Sequence, residues 1–335
     1  MNTNMKIGII LLTTILLGGL ASCEVPLDCD VGTKGVDASF TDRASIRTLE
    51  QGITAPIIVS IKNTGASSAS GFVRLGYNQD LLEVETSTHE FTSIPGKESW
   101  NRCQGQEERI RFDVKPYPLP IVTQRFEADL TLDICYEYET NFSTTVCVDP
   151  RIQGINILDP NCVPAERTFS GGQGGPIGIV RVAAPVYQDH DAGTVRIRFT
   201  VENFGNGRIV TYEEPGEREK SCSVSSDVSE NYLFVRTFLD DIRMECTELN
   251  PSFEGAPIAA RDSNGEVALY KTFLRPDPER IETRDGMLTL RRFTFVCTAS
   301  GIDLEREIDM QVNTELRYFY RDTRSDSITT ELRKI

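Results

Sequence analysis

Apolar and polar residues alternate along much of this chain with a period of two. Phe126, Ala128, Leu130, Leu132, Ile134 and Tyr136 fall on one side, and Arg125, Glu127, Asp129, Thr131 and Asp133 on the other. A strand with one buried and one wet face satisfies that spacing; a helix does not. Ile110, Phe112 and Val114 alternate with Arg109, Arg111 and Asp113 in the same way. So do Val195, Ile197, Phe199 and Val201 with Arg196, Arg198, Thr200 and Glu202. Ile308, Met310, Val312, Leu316, Tyr318 and Tyr320 extend the pattern over a longer run. Past the first 22 residues, no stretch of comparable length carries the i, i+3, i+4 apolar spacing of an amphipathic helix. The fold class is all-β. Strands with one polar face belong to antiparallel sheets packed by their other faces, and 335 residues accommodate two tandem β-sandwiches.

The break between them is expected at 150–175. There Asp149-Pro150, Asp159-Pro160 and Val163-Pro164, then the run 170–176 (SGGQGGP), interrupt any strand pattern and read as a Pro/Gly-rich linker. Residues 23–149 then form the first sandwich and 176–335 the second. Pro116, Pro118 and Pro120 mark an extended crossover at a sheet edge within the first. Residues 129–138 and 142–148 read as two strands of a hairpin turning at Glu139, Thr140 and Asn141.

A weak internal repeat supports two related units. Ile58-Val59-Ser60-Ile61-Lys62-Asn63-Thr64-Gly65 matches Arg198-Phe199-Thr200-Val201-Glu202-Asn203-Phe204-Gly205, each an alternating strand closed by Asn-x-Gly. Asn and Gly tolerate a positive φ and let the chain turn away. On these residues the chain resembles the Ig-like modules of prokaryotic surface proteins, including CARDB-type adhesion-related repeats, and is similar in layout to archaeal surface lipoproteins. The resemblance implies tandem Ig-like sandwiches and no particular activity.

The first residues read as an address. A short polar stretch with Lys6 precedes an apolar run, 7–21, that is too short for a spanning helix and ends Leu20-Ala21-Ser22-Cys23. That ending resembles a prokaryotic lipobox, which implies a signal peptide over 1–22, a lipid on Cys23 and anchoring to the outer face of the cytoplasmic membrane or the cell surface. Ordinary cleavage after Ala21 or Ser22 is the alternative. Nine cysteines leave one over in an oxidising compartment, and lipidating Cys23 leaves an even number. Local geometry pairs Cys135 with Cys147 across the hairpin and Cys246 with Cys297 between strand ends, worth roughly 3 and roughly 4 kcal/mol by loop entropy. Keeping the remaining bridges within each sandwich pairs Cys29 with Cys103 and Cys162 with Cys222. No Cys-x-x-Cys occurs, so a thiolate metal site is not expected.

A formal charge of -15 opposes nucleic-acid binding, which needs a cationic face. Only His89 and His190 offer imidazole, and neither Gly-x-Ser-x-Gly nor a phosphate-loop motif is present. Asp189-His190-Asp191 reads as a polar turn before a strand. Adjacent acids such as Asp240 with Asp241 and Glu213 with Glu214 read as solvated loop or strand-end positions. Calcium is the one cofactor the composition admits, yet Asp28-Cys29-Asp30 and Asp189-His190-Asp191 lack the remaining ligands of an EF-hand loop. Asn141-Phe142-Ser143 is a glycosylation acceptor at the expected hairpin tip. Three polar segments, 212–231, 248–264 and 275–286, are where a rigid sandwich would bind.

The expectation is a lipid-anchored surface protein, not an enzyme, whose modules bind a protein or glycan or serve a structural role in the envelope. An accessory subunit of an envelope transport or secretion complex is the alternative reading, and a carboxylate-based carbohydrate hydrolase the third.

Overall fold

A computed structural model describes residues 29, 32–41, 48–97, 103–118, 125–150, 161–188, 193–210, 233–248, 272–274, 281–284, 287–290 and 292–331. Among them every regular element is a strand. In chain order these are β1 (Val36–Phe40), β2 (Thr48–Glu50), β3 (Ala55–Asn63), β4 (Ala69–Tyr77), β5 (Leu82–Val84), β6 (Thr88–Ile94), β7 (Glu107–Pro116), β8 (Arg125–Val148), β9 (Arg167–Thr168) and β10 (Ile177–Val182). They continue with β11 (Val186–Gln188), β12 (Thr194–Asn203), β13 (Arg208–Val210), β14 (Leu233–Leu239), β15 (Ile242–Glu248), β16 (Thr272–Leu274), β17 (Ile281–Arg284), β18 (Met287–Leu290), β19 (Arg292–Ser300) and β20 (Ile308–Glu331).

The all-β expectation holds, with a β-sandwich type of architecture. In one half of the molecule the sheet β1-β3-β7-β5 packs on β6-β4-β8-β20. Ile57, Val59, Ile61, Phe112 and Val114 meet Val73, Leu75, Leu130 and Leu132 in its core. In the other half β15-β19-β12-β10-β9 packs on β14-β20-β8, with Ile197, Phe199, Phe295 and Cys297 set against Thr237, Val312 and Leu316. Strand β15 joins the two layers of this second half: residues 242–244 pair with β14 and 245–248 with β19. The turn that precedes it is Asp240-Asp241, with Asp240 at φ 51°, as a two-residue hairpin requires. The two adjacent acids are turn residues, and Asp240 Oδ1 accepts the Gln311 N–H at 2.8 Å.

Two strands serve both halves. β8 and β20 are each 24 residues long and pair antiparallel from Arg125↔Glu331 to Val148↔Ile308. β20 therefore crosses the boundary expected near 150–175, building the second sandwich with its first residues and the first sandwich with its last. The expected hairpin at 139–141 is corrected. Alternation runs unbroken through Tyr136, Tyr138, Thr140, Phe142, Val146 and Val148, all buried, while Glu139 and Asn141 face outward. Thr140, the residue that made this stretch look like a turn, is a good strand former, and its hydroxyl is matched in the core by Tyr318 Oη at 2.9 Å.

The disulfides follow. Cys135 and Cys147 lie on one continuous strand, about 40 Å apart at the usual rise per residue, and cannot bond to each other. Cys147 is bonded instead to Cys162, which also corrects the Cys162–Cys222 pairing. Cys29 is bonded to Cys103, and Cys246 to Cys297 directly across the β15–β19 ladder. Cys135 is in a disulfide as well. The Gly-rich run 170–176 is no loose linker either. Gly172, Gly174, Gly175 and Pro176 are buried, with Gly174 N–H donating to Gly32 O at 2.7 Å and Gly174 O accepting from Ala66 N–H at 2.7 Å.

The centre of the β8–β20 ribbon is a tyrosine quartet. Tyr138 faces Tyr318 and Tyr136 faces Tyr320, with the Glu137↔Phe319 pair between them, so the ribbon has an approximate two-fold axis there. All four rings are buried, and their centroids lie 5.8–6.4 Å apart. Each hydroxyl abuts a glycine that could not carry a Cβ: Tyr136 at Gly35, Tyr138 at Gly65, Tyr318 at Gly175, Tyr320 at Gly205. The Asn-x-Gly repeat is part of this joint. Asn63 Oδ1 accepts from Gly65 N–H at 3.1 Å and Asn203 Oδ1 from Gly205 N–H at 3.0 Å. The Asn63 amide donates to Ser67 O at 2.8 Å and the Asn203 amide to Gly207 O at 2.9 Å. Tyr138 Oη then accepts from Ser67 N–H, and Tyr320 Oη from Gly207 N–H, in the matching way. Burial pushes all four phenols above the usual tyrosine value.

Candidate functional site

The two-fold axis sets one half of the outer sheet face against the other. Phe72-Val73-Arg74 on β4 corresponds to Phe234-Val235-Arg236 on β14. Phe72 pairs with Cys135 and Arg74 with Asp133; Phe234 pairs with Arg317 and Arg236 with Glu315. On both strands the Val is buried in the main core, which turns the Phe and Arg to the outer face.

On the first half this face is filled. The Arg321 guanidinium forks onto Asp133 with two bonds of 2.7 Å, and Thr323 Oγ1 donates to the same carboxylate at 3.1 Å. Both ion-pair side chains are nearly buried, 12% and 11% exposed. Arg208 joins this cluster, and burial together with the neighbouring Arg321 pulls its pKa below the usual guanidinium value. Phe72, Cys135, Val210 and Phe319 form a small apolar cluster beside it.

On the second half the corresponding face is open among the described residues. A groove of about 880 Å³ runs over β8, β20 and β14 beside the segment 168–173, and Asn141, Ser143, Asn313, Glu315, Arg236 and Phe238 line it. The pairing puts these side chains in cross-strand rows. Asn141, Glu315 and Arg236 share one row; Ser143, Asn313 and Phe238 share the next. Arg236 Nε donates to Glu315 Oε2 at 2.8 Å, Arg317 also bonds Glu315, and Arg317 reaches Glu139 at 3.0 Å, so Arg236 and Arg317 are each held by carboxylates. Ser143 Oγ donates to Asn313 Oδ1 at 2.8 Å, and Gln311 Nε2 to Ser143 Oγ at 2.8 Å. The Asn141 amide donates to Glu139 at 2.8 Å. At the end of the groove Phe169 stands edge-on to Phe142, centroids 4.8 Å apart.

Of the residues named from sequence, Asn141 is exposed but lies mid-strand in this groove, not at a turn. His89 is on β6, edge-on to Phe112 at 4.9 Å. Cys23, Cys222, Asp28, Asp30, Asp189, His190, Asp191, Glu213 and Glu214 lie outside the described residues. So do the polar segments 212–231, 248–264 and 275–286, apart from the strand residues 248 and 281–284. Cys147, Cys162 and Asp309 bring potential ligand atoms within 4.8 Å of one another, but the two sulfurs are bonded to each other and supply no thiolate. The groove residues Arg236, Phe238, Asn313 and Glu315 carry no motif. Their one sequence signal is the second Phe-Val-Arg.

No protein-family model matches the chain, and no curated protein matches it.

Proposed function

We propose that this is an exported, lipid-anchored surface protein that presents two disulfide-stapled, Ig-like sandwiches as a binding module of the cell envelope. The observation that carries the reading is the disulfide set. Cys29, Cys103, Cys135, Cys147, Cys162, Cys246 and Cys297 are all in disulfides, which supports folding in an oxidising compartment beyond the cytoplasm. Cys23 ends a stretch that resembles a lipobox, and Cys29, pinned to Cys103, would hold the folded body close to the membrane. The paired Asn-x-Gly turns, built alike in both halves, support the resemblance to Ig-like and CARDB-type repeats. The joint through four tyrosines supports a rigid presenting role, because it fixes the angle between the halves. The test is mass spectrometry of the N-terminal peptide from membrane-extracted protein. A diacylglyceryl-modified Cys23 as first residue is expected; a soluble chain with unmodified Cys23 would contradict the anchor.

A further inference from the structure

The geometry points to the outer face of β8, β20 and β14 in the second half as a binding site for a neutral saccharide chain. This rests on the binding-module reading and names its ligand. Three features select the class. First, the charges of the groove are internally matched: Arg236 and Arg317 are held by Glu315 and Glu139. Among the described residues no guanidinium of the groove is left to prefer a phosphate, sulfate or carboxylate, and a chain of net charge -15 repels polyanions at long range.

Second, the remaining hydrogen-bonding groups are amides and hydroxyls in register. Asn141, Ser143 and Asn313 stand on neighbouring strands, and Gln311 continues the β20 row. Amides and hydroxyls both donate and accept, as a ligand made of hydroxyls demands. The Gln311–Ser143–Asn313 bonds hold these groups in fixed orientations, which lowers the entropy cost of binding. Third, Phe238 supplies an apolar face beside the polar rows, and the C–H faces of a sugar ring pack on aromatic carbon.

The molecule contains its own control. The positions matching Phe238, Asn313 and Ser143 in the first half are Gly76, Thr131 and Ser325, and the carboxylate matching Glu315 is Asp133, sealed by Arg321 and Thr323. The aromatic wall and the amide are present on one side only.

The experiment is isothermal titration of the full chain in detergent with neutral gluco-, manno- and N-acetylglucosamine hexasaccharides, and with a sulfated hexasaccharide for comparison. At least one neutral probe is expected to bind. Asn313→Ala and Phe238→Ala should each weaken it at least tenfold at an unchanged thermal midpoint, whereas Thr131→Ala leaves it unchanged. Phe238→Ala carries the test if Asn313→Ala fails to fold. Preference for the sulfated probe, no binding by any neutral probe, or equal affinity in all three variants overturns the inference. Capture of an envelope protein by a chain that ignores every saccharide also overturns it and leaves the binding-module reading standing. Hydrolysis of a probe removes the binding-module reading itself.

Discussion

The first half of the molecule closes its outer face with an Arg–Asp fork, and the second half leaves the same face open and lined with amides. Both halves start from one plan: an Asn-x-Gly turn docked on tyrosine hydroxyls, a Phe-Val-Arg strand, and a shared ribbon of two long strands. On this outer face they diverge in side chains that point away from the main core. At Asp133 the chain uses Arg321 and Thr323 for stability. At the matching Glu315 the carboxylate is held from the side by Arg236 and Arg317, and the rows beyond it stay accessible. A joint rigid enough to hold both sandwiches lets one face change without disturbing the other.

The largest expected effect is at that joint. A Cβ on Gly65 would stand 1.8 Å from Tyr138 Oη, and one on Gly205 2.1 Å from Tyr320 Oη. Gly65→Ala and Gly205→Ala should each cost about 3 kcal/mol by overpacking, and each should lower the stability of both halves in one denaturant transition. Two separate transitions would break the claim of a shared joint. Removing the Cys147–Cys162 bridge, which spans 15 residues, should cost roughly 3 kcal/mol on the loop-entropy estimate. Because it ties 162 to the end of β8 beside the groove, its loss should also weaken saccharide binding; removal of Cys29–Cys103 in the first half should not.

Tyr138→Phe and Tyr320→Phe test the symmetry more finely. Each takes the acceptor from a backbone N–H, of the half-buried Ser67 or the buried Gly207, at a cost of about 1–3 kcal/mol, with Gly207 toward the upper end. The same hydroxyls set the alkaline limit. Their folded pKa values are raised by burial above the unfolded value of about 10, so their contribution is complete below about pH 10 and is lost as pH climbs toward the folded values. Equilibrium unfolding between neutral pH and pH 12 should therefore show stability falling from about pH 10 upward, less steeply in either Phe variant.

The smallest effect distinguishes the halves at Thr140 and its counterpart Asp322. Burial raises the Asp322 pKa, against the pull of Arg324. Ionising it above the unfolded value of about 4 therefore costs stability, increasingly as pH rises through the raised folded pKa. Asp322→Thr should gain up to about 1 kcal/mol at pH 7 and nothing below about pH 4, read from denaturant midpoints at the two pH values.

Strands were legible where polar residues faced solvent, as at Phe126 to Tyr136 and Val195 to Val201. The misread stretch is where a polar residue faces inward: Thr140 breaks the apolar pattern, and only Tyr318, far along the chain, accounts for it. Glycine was ambiguous for a related reason. Gly174 and Gly175 read as linker because composition does not distinguish a flexible glycine from one against which a tyrosine hydroxyl packs. The Asn-x-Gly repeat was visible at an offset of 140 residues, from Asn63 to Asn203. Its continuation was not, because the offset grows to 162 from Phe72 to Phe234 and to 182 from Tyr136 to Tyr318. The groove shared that fate. Asn313 and Phe238 are single outward residues in good strands, and their meaning lies in the register that sets Ser143, Asn313 and Phe238 side by side.

The most direct test is residue-resolved: amide chemical shifts of the full chain, followed as the tightest-binding neutral hexasaccharide is added. Saturable shifts are expected at Ser143, Phe238, Gln311 and Asn313, with the matching positions Gly76, Thr131 and Ser325 unmoved. Shifts at the first-half positions, or equal shifts in both halves, would contradict saccharide binding in the groove.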